Sequence, residues 1–214
     1  MRKMKMALAL ALVAACSASA IAQTTQPRSV VLLAENDAAQ SGHQPDKSTV
    51  PLDAQQEKAA LRVFLKDIQH QIVSTAEAMP ATKYEFTPTE GEFKGVRTFA
   101  RQVRHLSATN HILAAAALGE DASADIDENG PETVRTKAEV LDYLNSSFEH
   151  LGRAIDAIGD SNRPVKSSPI SPLPANKTTR LALTVEALIH AFNHYGQMVE
   201  YLRMNGIVPP SSRP

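Results

Sequence analysis

Two histidines, His190 and His194, lie four residues apart in a segment with helical apolar spacing. At this spacing two side chains lie one turn apart on one helix face, so both imidazoles can reach a single metal ion. Two ligands are too few for a tight site, and His105 is the best third candidate. It precedes the apolar residue Leu106 by one position, as His194 precedes Tyr195. This shared offset predicts that His105 and His194 flank the core in a cleft.

The alternative is that His190 and His194 share an exposed helix face and bind nothing, because such pairs also arise by chance. The other histidines offer no comparable pattern. His43 lies alone in a polar segment, His111 lies on a different face of the second helix from His105, and His70 and His150 have no partner at ligand spacing. We interpret His43 as solvated and the other three as surface or structural residues.

Four segments carry apolar residues at steps of three and four, which is the period of amphipathic helices. No comparable strand pattern is present, and four apolar faces can share one core, so the sequence predicts an all-α four-helix bundle. The fourth stripe places Val185 and Phe192 in that core. The stripes run from Leu61 to Met79, from Val96 to Leu113 before Gly119, from Leu144 to Ile158 and from Leu181 to Leu202.

The three connections between these helices, about 80–92, 119–135 and 160–177, are longer than simple bundle turns. They are expected to cross the ends of the bundle or to border a cleft. The third contains four prolines and is predicted to be extended.

Residues 1–22 have the pattern of a secretory signal peptide, with a basic start, an apolar run over 7–15 and small residues before a cut after Ala22. The apolar run is too short to span a bilayer, so no transmembrane helix is expected after processing. Residues 13–16 also resemble a lipobox, which would make Cys16 a lipid anchor. The prediction is export to the periplasm or cell envelope, as a free protein or a lipoprotein. A freely exported chain would contain no cysteine and would bind metal through His, Asp or Glu.

The predicted organisation after the signal peptide is a flexible linker over 23–52, the helical bundle over 53–208 and a tail over 209–214. The formal net charge of the whole chain is −1, with no long Lys/Arg run. Nucleic acid is therefore not an expected partner, because binding it requires a basic surface.

The segment "HYGQMVEYLRMNGIVPP" (194–210), preceded by His190, resembles the last-helix signature of the DinB-like (DinB/YfiT) superfamily. "VRHLSATNHILAAAALGE" (103–120) is similar to its second helix. The resemblance covers roughly residues 53–208 and implies a four-helix bundle of unusual connectivity. It also implies a divalent metal, Zn or Ni, held by His105, His190 and His194.

Characterised members of this superfamily include thiol-dependent transferases and isomerases and proposed metal hydrolases. The resemblance therefore implies a small-molecule substrate and a metal that activates water or a thiol. The export signal argues against thiol transfer, because bulk low-molecular-weight thiols are cytosolic.

Three polar residues are candidates for orienting the metal ligands or relaying a proton. Gln197 and Glu186 lie on the same side of the last helix as the histidine pair, and Asn110 lies on an apolar stripe. Gln197 and Glu186 could equally be ordinary surface residues, and Asn110 could be a core hydrogen bonder.

Two functions of different class remain open. The first is an exported metal-dependent enzyme, either a hydrolase or a thiol-dependent transferase. The second is a noncatalytic bundle of the envelope that binds metal or a partner. The catalytic residues, and whether the chain forms a homodimer, also stay open.

Overall fold

A computed structural model describes residues 54–120, 127–159, 163–166 and 168–213. The predicted signal peptide, Cys16 and the predicted linker lie outside these ranges. The described residues form four long helices and three short 3₁₀ turns, with no strand among them beyond a single bridge between Pro164 and Thr179. The helices are α1 (Ala54–Ala78), α2 (Phe99–Leu118), α3 (Lys137–Asp156) and α4 (Arg180–Met204).

The helix starts follow from capping side chains. Thr98 and Thr179 precede α2 and α4, and each hydroxyl accepts a hydrogen bond from the backbone N–H three residues later. At α3, Thr136 and Glu139 form a reciprocal capping box. Gly119 ends α2 with φ of 76°, a left-handed conformation that glycine adopts without strain.

The helices pack so that α1 and α2 each contact α3 and α4. The first two helices therefore occupy opposite corners of the bundle, although they are consecutive in the chain. Consecutive helices of an up-and-down bundle are neighbours, so this connectivity is unusual for a four-helix bundle. No helix among the described residues combines the length and apolar character needed to cross a membrane.

The core contains residues from all four helices, and four of its largest fully buried members are Ile68, Phe99, Phe148 and Met198. Most of α2 is buried, because α3, α4 and the connecting segments cover it. The core expectation for the start of the second stripe is wrong. Val96 precedes α2 and is 39% exposed, because the Thr98 cap starts the helix after it.

The predicted stripe on α4 is wrong at Val185 and Phe192, which are 37% and 43% exposed. The buried face of α4 instead includes small residues such as Ala187 and Ala191, which let neighbouring helices approach closely. His194 belongs to this buried face. It therefore lies in the packed interface and does not merely flank the core as predicted.

Candidate metal centre

The side chains of His105 on α2 and of His190 and His194 on α4 meet at the interface between these helices. One ring nitrogen from each lies within 4.8 Å of the other two. The Nε2 atoms of His190 and His194 are 2.9 Å apart. Two imidazole nitrogens bound to one tetrahedral ion lie roughly 3.3 Å apart, since each Zn–N bond is about 2.0–2.1 Å. The donor set therefore fits a single ion of this kind.

This convergence is specific to the three histidines. Across the described parts of the chain, no other group of three His, Cys, Asp or Glu side chains meets in this way. The sequence-predicted triad is thus brought together, with two ligands at i, i+4 spacing on α4 and the third from the facing helix.

The orientation of His105 is set by a backbone contact. Its Nδ1 donates a short hydrogen bond to the carbonyl oxygen of Glu128, in the segment before α3. A ring whose Nδ1 carries the proton has its lone pair on Nε2, which is then free to bind a metal. The Glu128 carboxylate lies 3.7 Å from Arg97, and this ion pair helps to hold the segment against α2.

A chain of side-chain amides holds His194. Gln102 is buried on α2, and its Nε2 lies 2.5 Å from Nδ1 of His194 and 2.6 Å from Oε1 of Gln197. Gln197 in turn donates from Nε2 to Oδ1 of Asn193 over 3.0 Å. In this arrangement Gln102 donates to His194 Nδ1, which places the ring proton on Nε2.

The opposite orientation of the three amides satisfies the same hydrogen-bonding groups. If the amides of Gln102, Gln197 and Asn193 all turn over, His194 Nδ1 donates to Gln102 Oε1 and its Nε2 lone pair becomes free. Turning an amide over exchanges donor and acceptor with almost no change of shape. The second arrangement is the one that a metal on Nε2 requires. Gln197, a predicted orienting residue, therefore acts on His194 through Gln102.

Burial keeps the three imidazoles neutral. It lowers the pKa of His190 to about 4, with His105 and Arg97 adding repulsion of the charged form. Burial also lowers the pKa of His194 to about 3, assisted by both neighbouring histidines and by Arg97. Burial lowers the pKa of His105 as well, partly offset by its bond to the Glu128 carbonyl. Neutral imidazole is the form that binds metal, so the site is ready at neutral pH.

The other two predicted orienting residues have different roles. Glu186 accepts a 2.6 Å hydrogen bond from the Ser171 hydroxyl, which ties the proline-rich connection to α4. Asn110 is fully buried and its Nδ2 donates to Ser147 on α3 over 3.2 Å, so it joins α2 to α3. His190 Nδ1 is buried and has no hydrogen-bond partner among the described residues.

His150, interpreted above as a surface or structural residue, pairs with His111 and Glu120. Its Nδ1 lies 3.0 Å from Nδ1 of His111, and its Nε2 lies 2.9 Å from the Glu120 carboxylate. Sequence spacing could not reveal this pair, because His111 and His150 come from α2 and α3. Both keep a structural role, and His70 is exposed as expected.

The bundle and its histidine triad can now be compared with known families. The sequence model of the DinB superfamily matches residues 65–198, which is more than half of the chain. The chain belongs to the DinB superfamily. The match confirms the predicted superfamily; it includes the second helix and the last helix as far as Met198, and all three histidines lie within it. No curated protein matches the chain.

Sequence reasoning missed two residues of this DinB centre. Gln102 lies three residues before His105 on the same face of α2, so helical spacing could have identified it. Glu128 lies outside the helices and contributes a backbone oxygen, so no side-chain pattern could have predicted it.

Proposed function

We propose that this DinB protein is an exported metal-dependent enzyme that binds Zn or Ni through His105, His190 and His194. The observation that carries the proposal is the convergence of three imidazole nitrogens from two helices within 4.8 Å. Export is supported by the signal-peptide pattern of residues 1–22. Of the two reactions that the superfamily suggests, hydrolysis fits an exported enzyme better, because water is available and low-molecular-weight thiols are scarce outside the cytosol.

A bound divalent ion would supply Lewis acidity toward water, a thiol or a carbonyl oxygen. The protein contributes the neutral ligand set, since three uncharged imidazoles leave the charge of such an ion uncompensated. Glu128 is the carboxylate that we assign to proton transfer. It lines the same cleft as His105 and His190, and its backbone already holds the His105 ring.

Metal content tests the first step. The full chain, produced without a histidine tag and purified without chelating resin, should contain about one equivalent of Zn or Ni by mass spectrometry. His105→Ala, His190→Ala and His194→Ala should each lose most of it. His70→Ala is the matched control, because His70 is exposed on α1 and should leave the metal content unchanged.

A His190→Ala variant that keeps its metal would show that the ligand set is wrong. A wild-type chain that binds no metal would remove the enzyme proposal and favour the noncatalytic envelope bundle. If metal is bound, ester, amide and thiol-transfer substrates should be compared directly. Hydrolysis that is lost in Glu128→Gln, with metal content unchanged, would support the assigned proton-transfer role.

A further inference from the structure

A cleft of about 620 Å³ opens beside the histidine centre, between α2, α4 and the connection that precedes α4. His105 and His190 both line it. This volume lies within the range of small-molecule sites in proteins, which is roughly 300–1,000 Å³. A molecule in the cleft would therefore reach the triad from one side.

The walls of this cleft are largely apolar. Two α4 residues on its wall, Val185 and Ile189, are 37% and 66% exposed, although large aliphatic side chains are usually buried. Exposed apolar side chains that cluster beside polar groups are typical of ligand sites. The apolar side chains of the wall are Leu113, Ile170, Pro172, Leu173, Val185 and Ile189.

The proline-rich connection is held in place as one wall. Ser171 donates to the Glu186 carboxylate over 2.6 Å, and the backbone N–H of Leu173 donates to the Ser171 hydroxyl over 3.2 Å. These bonds position Ile170 and Leu173 against α4. The cleft is therefore built by contacts within the fold, as the length of this connection led us to expect.

The charged groups of the lining are few. Apart from the histidines, the ionisable side chains that line the cleft are Glu128 and Glu186, and no Lys or Arg does so in the described chain. Glu128 lies 3.7 Å from the guanidinium of Arg97, which lines a separate cavity of about 610 Å³ that reaches none of the three histidines. A divalent ion on the triad would add positive charge at the histidine edge, so the apolar walls, and not the charge of the lining, select the ligand.

We propose that the cleft takes an apolar substrate, such as the ester or amide of an aliphatic or aromatic group, with its polar group directed at His105 and His190. This inference rests on the proposed function, since it names the substrate class for the same centre.

The test measures binding of the apolar fluorescent probe N-phenyl-1-naphthylamine to the full chain. Ile189→Asp should weaken its binding at least about tenfold, because it replaces apolar contact area with a charge.

Phe192→Asp is the matched control, because Phe192 is 43% exposed on the same helix but lies outside the cleft. Val185→Asp provides a second cleft variant in case Ile189→Asp fails to fold. Unchanged binding of the probe in both cleft variants would overturn the inference. So would an equal loss in Phe192→Asp, or a wild type that does not bind the probe.

Metal content separates this inference from the proposed function. Ile189→Asp should keep the metal content of the wild type, because Ile189 is not a ligand. If the wild type contains no metal but binds the probe and Ile189→Asp weakens that binding, the proposed function fails and the cleft assignment stands. If metal is present but the cleft variants bind the probe as the wild type does, only the substrate class is wrong.

Discussion

Replacement of Gln102 by leucine should weaken metal binding while leaving all three histidine ligands in place. Gln102 is 3% exposed, and its amide is the group in contact with Nδ1 of His194, at 2.5 Å. Leucine has nearly the same volume but cannot accept the Nδ1 proton. The variant would therefore leave a buried N–H without a partner whenever His194 binds metal through Nε2.

The magnitude follows from the role of such partners in metal sites. Loss of a hydrogen bond to the far nitrogen of a ligating histidine costs about 10- to 100-fold in metal affinity. This corresponds to roughly 1.4–2.8 kcal/mol, which agrees with the cost of about 1–3 kcal/mol for an unsatisfied buried polar group. The Gln102→Glu variant can only accept at this position, so it selects the tautomer that a metal requires. It should retain or increase the affinity.

The assay is a competition titration of Zn against a chromophoric chelator. Gln71→Leu is the control, because it makes the same replacement of glutamine by leucine on the surface of α1. Gln71 donates a hydrogen bond to Asp67 there and lies away from the triad. Wild-type affinity in Gln102→Leu would refute the reasoning about His194. An equal loss in Gln102→Glu would also refute it, because the effect would then come from disturbed packing.

Three further predictions concern stability, each measured by urea unfolding of chelator-treated protein. Burial and repulsion from His150 and Arg153 lower the pKa of His111 from 6.5 to about 4. The folded chain thus resists its protonation, and stability should be lost as the pH falls from 6.5 toward 4. His111 contributes about 2 kcal/mol to the difference in the free energy of unfolding between pH 7 and pH 5. The His111→Gln variant should lack this contribution. A pH profile of stability that is the same in wild type and variant would contradict the lowered pKa. Ser147→Ala should cost about 1–3 kcal/mol, because it leaves the buried Asn110 amide without its acceptor. The stability lost through Ser147→Ala should be smaller in the Asn110→Leu background. If the losses from the two substitutions simply add, Asn110 and Ser147 do not interact. Thr136→Ala should cost about 1 kcal/mol by removing the α3 cap, and Thr136→Ser should restore most of it.

Much of the fold could be predicted because helices are local. Apolar residues at steps of three and four indicated all four helices, and Pro80, Gly119 and Gly159 marked ends within a few residues of those observed. The errors came where packing overrides local pattern. Val185 and Phe192 are as apolar as core residues, but the alanines of α4 form the close interface and leave both side chains exposed.

The candidate site could be predicted to a similar degree. The i, i+4 spacing of His190 and His194 and the offset that His105 shares with His194 are properties of the sequence, and the family resemblance implied the same triad. The contacts that orient these rings come from Gln102 on another helix and from a backbone oxygen of Glu128. Neither contact leaves a periodic signal in the chain.

The sequence by itself determined the helical class, the family and the identity of the three converging histidines, since each depends on residue types at short spacings. Only the tertiary structure decided which faces are buried, because that depends on which helices are neighbours. The apolar cleft beside the triad is a fact of the same kind. It arises because residues distant in the chain meet across α2, α4 and the segment that ties Ser171 to Glu186.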